Sequence, residues 1–145
     1  MIKIICLGKL KEKYLIDLVH DYKTRINKYH KLEMIELKDE EDLEREATNI
    51  LKYIGVNDYV ITLEIEGKEM DSISLSKKIE ETFITHSTIT FIIGSSTGLS
   101  KKIKDRSNFP LSFSKFTFPH GLFRGILLEQ IYRSFKINNN ENYHK

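Results

Sequence analysis

The chain has a single cysteine, so no intrachain disulfide can brace it, and Cys6 sits inside the apolar run "IKIICLG". A lone thiol in such a run reads as a small buried core residue in a reduced compartment and not as a nucleophile. Long hydrophobic runs are also missing. The one extended uncharged span, Thr82 to Ser100, is too rich in Ser, Thr and Gly for a transmembrane helix, and the N-terminus has no apolar signal region. No membrane attachment and a cytoplasmic location are expected. There is no GxGxxG, no GxxxxGK[ST] and no GxSxG, and no Cys or His cluster has metal-ligand spacing. These absences weigh against nicotinamide enzymes, P-loop NTPases, serine hydrolases of the elbow type and a metal centre.

A strong excess of either charge is missing, but the charges are unevenly placed. The net charge is +2, yet residues 101 to 145 carry 9 Lys and Arg against 3 Asp and Glu, leaving the preceding hundred residues acidic. A basic C-terminal third on an acidic scaffold fits a polyanion-binding edge and equally a solvated surface.

At 145 residues the chain suits one domain with its own core. Short β-branched runs at Ile2 to Gly8, Lys31 to Leu37, Tyr59 to Glu66, Thr88 to Gly94 and Ser112 to Phe118 read as strands. Apolar residues spaced by three or four fill the gaps: Tyr14 to Tyr29, Leu43 to Ile54, Leu75 to Phe83, and a final set from Leu122 to Phe135. Ser74 and Ser100 are candidate caps for the third helix and for a short basic one. This alternation predicts an α/β fold, a mainly parallel sheet with helices on both faces. No linker, repeat or low-complexity tract divides it.

The last helix is apolar around more of its circumference than one sheet can cover, so a second surface is expected, most simply a two-fold copy of the chain. Arg124 falls on its apolar side and needs a carboxylate, a phosphate or an interface partner, unless it snorkels from the helix end. In open α/β sheets ligands gather at the carboxyl ends of strands, and two such ends carry unusual sequence, "IIGSSTG" and "FSKFTFPHG". Either could be an ordinary turn or part of one pocket. His120 opens the final helix, where a cap or core role is the usual one. The tail closes on Tyr143, His144 and Lys145, an aromatic, an imidazole and an ammonium suited to stacking on a base and gripping phosphate, although most termini fray.

The segment from "FIIGSSTG" through "SFSKFTFPH" and "EQIYRSFKI" to the terminal "YHK", with "IKIICLGKLKEKY" and "ITLEIEGK" upstream, closely resembles the ribosomal RNA large-subunit methyltransferase H family, of the SPOUT class. The resemblance covers nearly the whole chain. It implies a single SPOUT domain over 1–145, a C-terminal trefoil knot over about 88–137, and a substrate tail over 138–145. It further implies S-adenosyl-L-methionine as cofactor and N3-methylation of a pseudouridine in large-subunit (23S) ribosomal RNA. The partners would be ribosomal RNA or the assembled ribosome, and a second copy docked through the C-terminal helix. Cofactor contacts carry over to Leu63, Gly94, Phe113, Ser114, Lys115, Phe116, Thr117 and Phe118. Leu63 would pack on the adenine, and Gly94, lacking a Cβ, would let the backbone come close. Tyr143, His144 and Arg133 are the catalytic expectations, with His144 as proton relay; Arg124 and Lys145 are the substrate-binding ones. Family members usually carry consecutive glycines where this chain has Gly94 and Ser95, and are longer near Lys38 to Asp42. The alternative reading is a knotted homologue that binds RNA or a nucleotide without catalysis.

Overall fold

The computed structural model describes Met1 to Lys145. Five strands form one sheet, β1 (Ile2–Leu7), β2 (Leu32–Leu37), β3 (Tyr59–Glu69), β4 (Ile89–Ile93) and β5 (Phe109–Ser112), in spatial order β2-β1-β4-β3-β5. Every pairing is parallel. The connections are the helices α1 (Lys13–Ile26), α2 (Leu43–Leu51), α3 (Ser72–Thr85) and α4 (Lys101–Arg106), and α5 (His120–Asn138) closes the chain. Central strands covered on both faces have no polar side, which is why "IKIICL" and "ITFII" are continuous apolar runs.

Alternate residues of those runs feed two cores. Ile2, Ile4, Cys6, Phe91 and Ile93 face α1, α3 and α5, where Leu127, Leu128, Ile131 and Phe135 of α5 meet them. Ile5, Leu7 and Ile92 face α2 and α4, against Ala47, Ile50 and Ile103. Helix α5 packs between α1 and α3, so those two helices, as well as the sheet, cover its broad apolar surface. Close approach to α1 depends on Gly125: a Cβ there would lie 2.4 Å from Leu18 Cδ2. Cys6 is fully buried, and burial pushes its thiol up to about 11 against the lowering effect of Arg124, which leaves it unionised and inert.

Two expectations are corrected. The fifth strand is Phe109–Ser112, and only Ser112 of the expected Ser112 to Phe118 belongs to it. It is an edge strand, where Pro110 costs no ladder bond, and the aromatic alternation after it, which imitates a strand, forms a loop. The cap of α3 is Asp71, whose carboxylate accepts from the Ser74 amide at 2.7 Å; a carboxylate one turn earlier closes the helix better than Ser74 placed inside it. Ser100 does hold the N-cap position of α4, but its hydroxyl makes no hydrogen bond.

Candidate active site at the carboxyl ends of β3, β4 and β5

The route from β5 to α5 builds the site. Strand β5 lies at the sheet edge beside β3, while the first turns of α5 lie against Leu10 and Leu15 and reach the end of β1. Residues 113 to 119 therefore cross the carboxyl ends of β3 and β4. His120 marks the crossing: its Nε2 is hydrogen-bonded to the Gly94 carbonyl at the end of β4, clasping the start of α5 to the glycine loop.

Between this crossing segment and the loop after β4 lies a cleft of about 510 Å³, within the size range of small-molecule sites. Leu63, Gly94, Phe113, Ser114, Phe116, Thr117 and Phe118 all line it. These are seven of the eight residues expected to hold a cofactor, drawn from three separated stretches of sequence. Lys115 is not among the lining residues; it is the one member of that set whose side chain lies off the cleft. The walls are mainly apolar. Phe113 and Phe118 pack on Phe123 with ring centroids at 5.2 and 5.8 Å, whereas Phe116 is 79% exposed at the mouth. Ser114 shapes the crossing by accepting, through its hydroxyl, the Phe116 amide at 3.0 Å. The amides of Lys115, Thr117 and Phe118 have no partner within the chain and remain as donors for a polar edge.

Gly94 is needed by the loop itself. A Cβ there would stand 2.9 Å from both the Gly98 carbonyl oxygen and Leu99 Cγ, so the tight turn from Ser95 to Gly98, closed by a 2.9 Å amide bond, excludes any side chain. The positive φ of that turn (+87°) belongs to Gly98 and not to Ser95. Serine in place of a second glycine therefore brings no backbone strain, and its hydroxyl bonds Thr97 at 2.9 Å.

Periodicity gave no hint of the acidic rim. Glu64 and Glu66, from the extended end of β3, line the cleft; Glu64 accepts from Thr62 Oγ1 at 2.7 Å and pairs with Lys104 at 3.8 Å. The register break between Leu63 and Lys68 displaces this stretch from strict pairing with β5. His120 is the other lining residue that its place at a helix start disguised. The short β2–α2 connection, residues 38 to 42, lies beyond the opposite half of the sheet and contributes nothing to the lining.

Arg124 is only 3% exposed. One terminal nitrogen donates to Glu36 at 2.7 Å; the other donates to the carbonyls of Leu7 and Gly8 at 2.6 and 2.8 Å. Of the partners a buried guanidinium could take, the structure supplies a carboxylate and two strand-end carbonyls. In this chain its terminal donors are turned inward, and the residue ties α5 to the ends of β1 and β2.

The tail is docked against the body of the protein and does not fray. Helix α5 ends with the Asn140 amide on the Ile137 carbonyl and the Glu141 amide on the Lys136 carbonyl, with Asn140 at φ +55°. This is a Schellman closure in which asparagine takes the place usually given to glycine. The chain turns back, and Glu141 is held by Tyr29 at 2.9 Å and by Lys136 at 2.8 Å. Tyr143 then rests on Tyr132, ring centroids 4.9 Å apart, and donates to Glu129 Oε1 at 3.0 Å. Arg133 lies over the Tyr143 ring at 4.8 Å and contacts His144 Nδ1 at 3.1 Å. Arg133, Tyr143 and His144 thus form one group, with Lys145 exposed beyond it. None of the four lines the cleft. His120, which does, is thirteen residues from Arg133 along α5, about 20 Å at the helical rise.

A parallel sheet whose strand ends and crossing loop enclose a mainly apolar cleft with free amides defines an α/β protein with its cleft where such folds place ligands. A family model described as "Predicted SPOUT methyltransferase" matches residues 1–144, and the chain belongs to that family. It is 55% identical to the "Putative ribosomal RNA large subunit methyltransferase H" of Methanococcus maripaludis strain C5, and 47% identical to the "Ribosomal RNA large subunit methyltransferase H" of Clostridium botulinum strain Alaska E43. Both alignments run over 157 residues and cover 99% of each chain, more positions than this chain has residues. Among solved structures, the SpoU methyltransferase AviRb of Streptomyces viridochromogenes, crystallised with the cofactor AdoMet, superposes with a TM-score of 0.50 at 9% identity over 94% of this chain; the chain spans about 60% of that protein. That likeness extends to the fold. No helix is long and apolar enough to cross a membrane.

Proposed function

We propose that the protein is an S-adenosylmethionine-dependent RNA methyltransferase acting on N3 of a pseudouridine in large-subunit ribosomal RNA. The observation that carries this reading is the convergence of Leu63, Gly94 and the 113–118 segment on one cleft. Its contents suit the cofactor: apolar walls for an adenine, unpartnered loop amides for the base edge, and carboxylates at the rim for hydroxyl or ammonium groups. The names of the full-length relatives support ribosomal RNA as the substrate. The finer target, the pseudouridine nitrogen, follows the resemblance in sequence.

When bound, the cofactor supplies an electrophilic methyl group. The chain's own residues would grip it and exclude water: Leu63 and Phe113 flank the base, the Lys115 to Phe118 backbone reads its edge, and the His120 to Gly94 clasp holds the two loops at fixed separation. Placement of reactants then supplies a large part of the rate. The crossing of residues 113 to 119 past the glycine loop supports a trefoil knot over about 88–137. The part-exposed Leu122 in the first turn of α5 and the strongly exposed Tyr14 in the first turn of α1 support an apolar interface with a second copy. In that assembly the Arg133, Tyr143, His144 and Lys145 group of one protomer would complete the cleft of its partner, since in one chain the two lie far apart on α5. Function in the cytoplasm follows from the substrate.

Mass spectrometry of nucleosides from ribosomal RNA tests the reading, in cells stripped of related methyltransferases and then supplied with this protein. A methylated pseudouridine is expected to return. Its continued absence, with the protein expressed and folded, would leave a non-catalytic RNA-binding homologue as the better description.

A further inference from the structure

Glu129 is the hub beneath the docked tail. Its Oε1 accepts from Tyr143 OH at 3.0 Å and from Arg133 Nε at 3.0 Å, and its Oε2 accepts from Gln130 Nε2 at 2.8 Å. Arg133 is thereby fixed in orientation, one terminal nitrogen turned to Glu129 and the other placed 3.1 Å from His144 Nδ1. A guanidinium carries donors only and does not lose its proton in proteins; the bond to Glu129 holds Arg133 still more firmly in its charged form. The contact with His144 can therefore be a hydrogen bond in one way alone, with Nδ1 supplying its lone pair. A neutral imidazole has only one nitrogen lone pair, so a neutral His144 bonded to Arg133 in this way would carry its proton on Nε2.

We propose that Glu129 and Arg133 lock His144 as the neutral Nε2–H tautomer, so that His144 serves as a hydrogen-bond donor to a carbonyl oxygen of the methyl-accepting base and not as the base that removes its proton. This deepens and rests on the RNA methyltransferase reading. An imide nitrogen attacks after losing its proton, and the charge left behind spreads onto the flanking carbonyl oxygens. A fixed Nε2–H beside one of them stabilises that charge as an oxyanion-hole donor does. The balance closes with solvent as the acceptor: the N–H proton leaves to water or hydroxide, the new N–C bond forms, and the methyl–sulfur bond breaks with its electron pair going to sulfur. Tyr143 does not supply a base in place of His144. Its hydroxyl already donates to Glu129, and burial together with contacts to Tyr22 and Glu129 raises its ionisation further above the ordinary tyrosine range. His144 is the catalytic residue, and Arg133 and Glu129 are positioning residues.

Two measurements on the full-length protein test this. Long-range ¹H–¹⁵N NMR of ¹⁵N-histidine-labelled protein at pH 7.5, assigned with His144→Gln, should show His144 as the Nε2–H tautomer, and Arg133→Met should release it to a mixture. Methyl transfer should fall at least about 100-fold in His144→Ala, the scale of losing one oxyanion donor, but stay within about tenfold of wild type in His144→Gln, which donates an N–H and takes up no proton at this pH. An Nδ1–H tautomer in the wild type, or a glutamine variant as impaired as the alanine one, overturns the proposal. The NMR arm needs no RNA. A protein that shows the expected tautomer but never methylates RNA would sink the methyltransferase reading while leaving the lock in place.

Discussion

Arg124→Met should lower the unfolding free energy by about 3 kcal/mol, because the carbonyls of Leu7 and Gly8 and the Glu36 carboxylate lose their donor together while the methionine chain still fills the volume. Each buried acceptor left unpaired costs about 1–3 kcal/mol. The charge pair adds less, since the Glu36 side chain is 38% exposed and water can replace the lost partner. For a chain of this size the loss corresponds to a fall in Tm of about 9 °C. Glu36→Gln keeps an acceptor in place and should cost only about 1 kcal/mol. Denaturant titrations of both variants check the contrast. If Arg124→Met cost less than the glutamine variant, the guanidinium would not be the tie between α5 and the strand ends.

The second large effect concerns the assembly. If the cleft of one protomer is completed by the tail of another, Gly94→Val and His144→Ala should each abolish activity alone, the first by forcing the 94–99 loop that walls the cleft out of place and the second by removing the donor. Unfolding and refolding an equimolar mixture should restore turnover. Half of the reassembled dimers pair one of each chain, and each such dimer holds one intact cleft facing one intact tail, so about a quarter of wild-type activity is expected on two-fold symmetry. No recovery, with mixed dimers demonstrated by mass spectrometry, would place cleft and tail of the same chain together.

Four strands and the two-sided sheet were legible because β1 and β4 are almost wholly apolar runs and β2 and β3 are short β-branched ones bounded by charge, and the helices because one face of each repeats every three or four residues. The fifth strand was not. Phe116 and Phe118 mimic the alternation of a half-buried strand, yet they and Phe113 line the cleft from a loop, while the true strand is only "FPLS", an edge segment with a proline in it. The joining of Leu63, Gly94 and the 113–118 segment lies beyond periodicity: the strand-end rule offered the Gly94 loop and the 113–118 segment as parts of one pocket but left an ordinary turn equally open, and resemblance alone added Leu63. The docking of the tail was hidden for a related reason. "NNNENYHK" looks like a fraying end, but the αL asparagine reverses it, and its anchors, Tyr29 and Tyr22, lie over a hundred positions away. Arg124 shows the opposite case, since its need for a partner followed from its place on the helix, and only the partner's identity required the structure.

The central claim, that this cleft holds S-adenosylmethionine, is most directly tested by calorimetric titration of the purified protein with that cofactor, beside the Gly94→Val variant. Saturable binding in the wild type, displaced by S-adenosylhomocysteine and reduced at least about 100-fold (about 2.8 kcal/mol) by the valine, is the predicted result. Absence of binding in the wild type, or affinity untouched by a side chain forced against the Gly98 carbonyl, would contradict it.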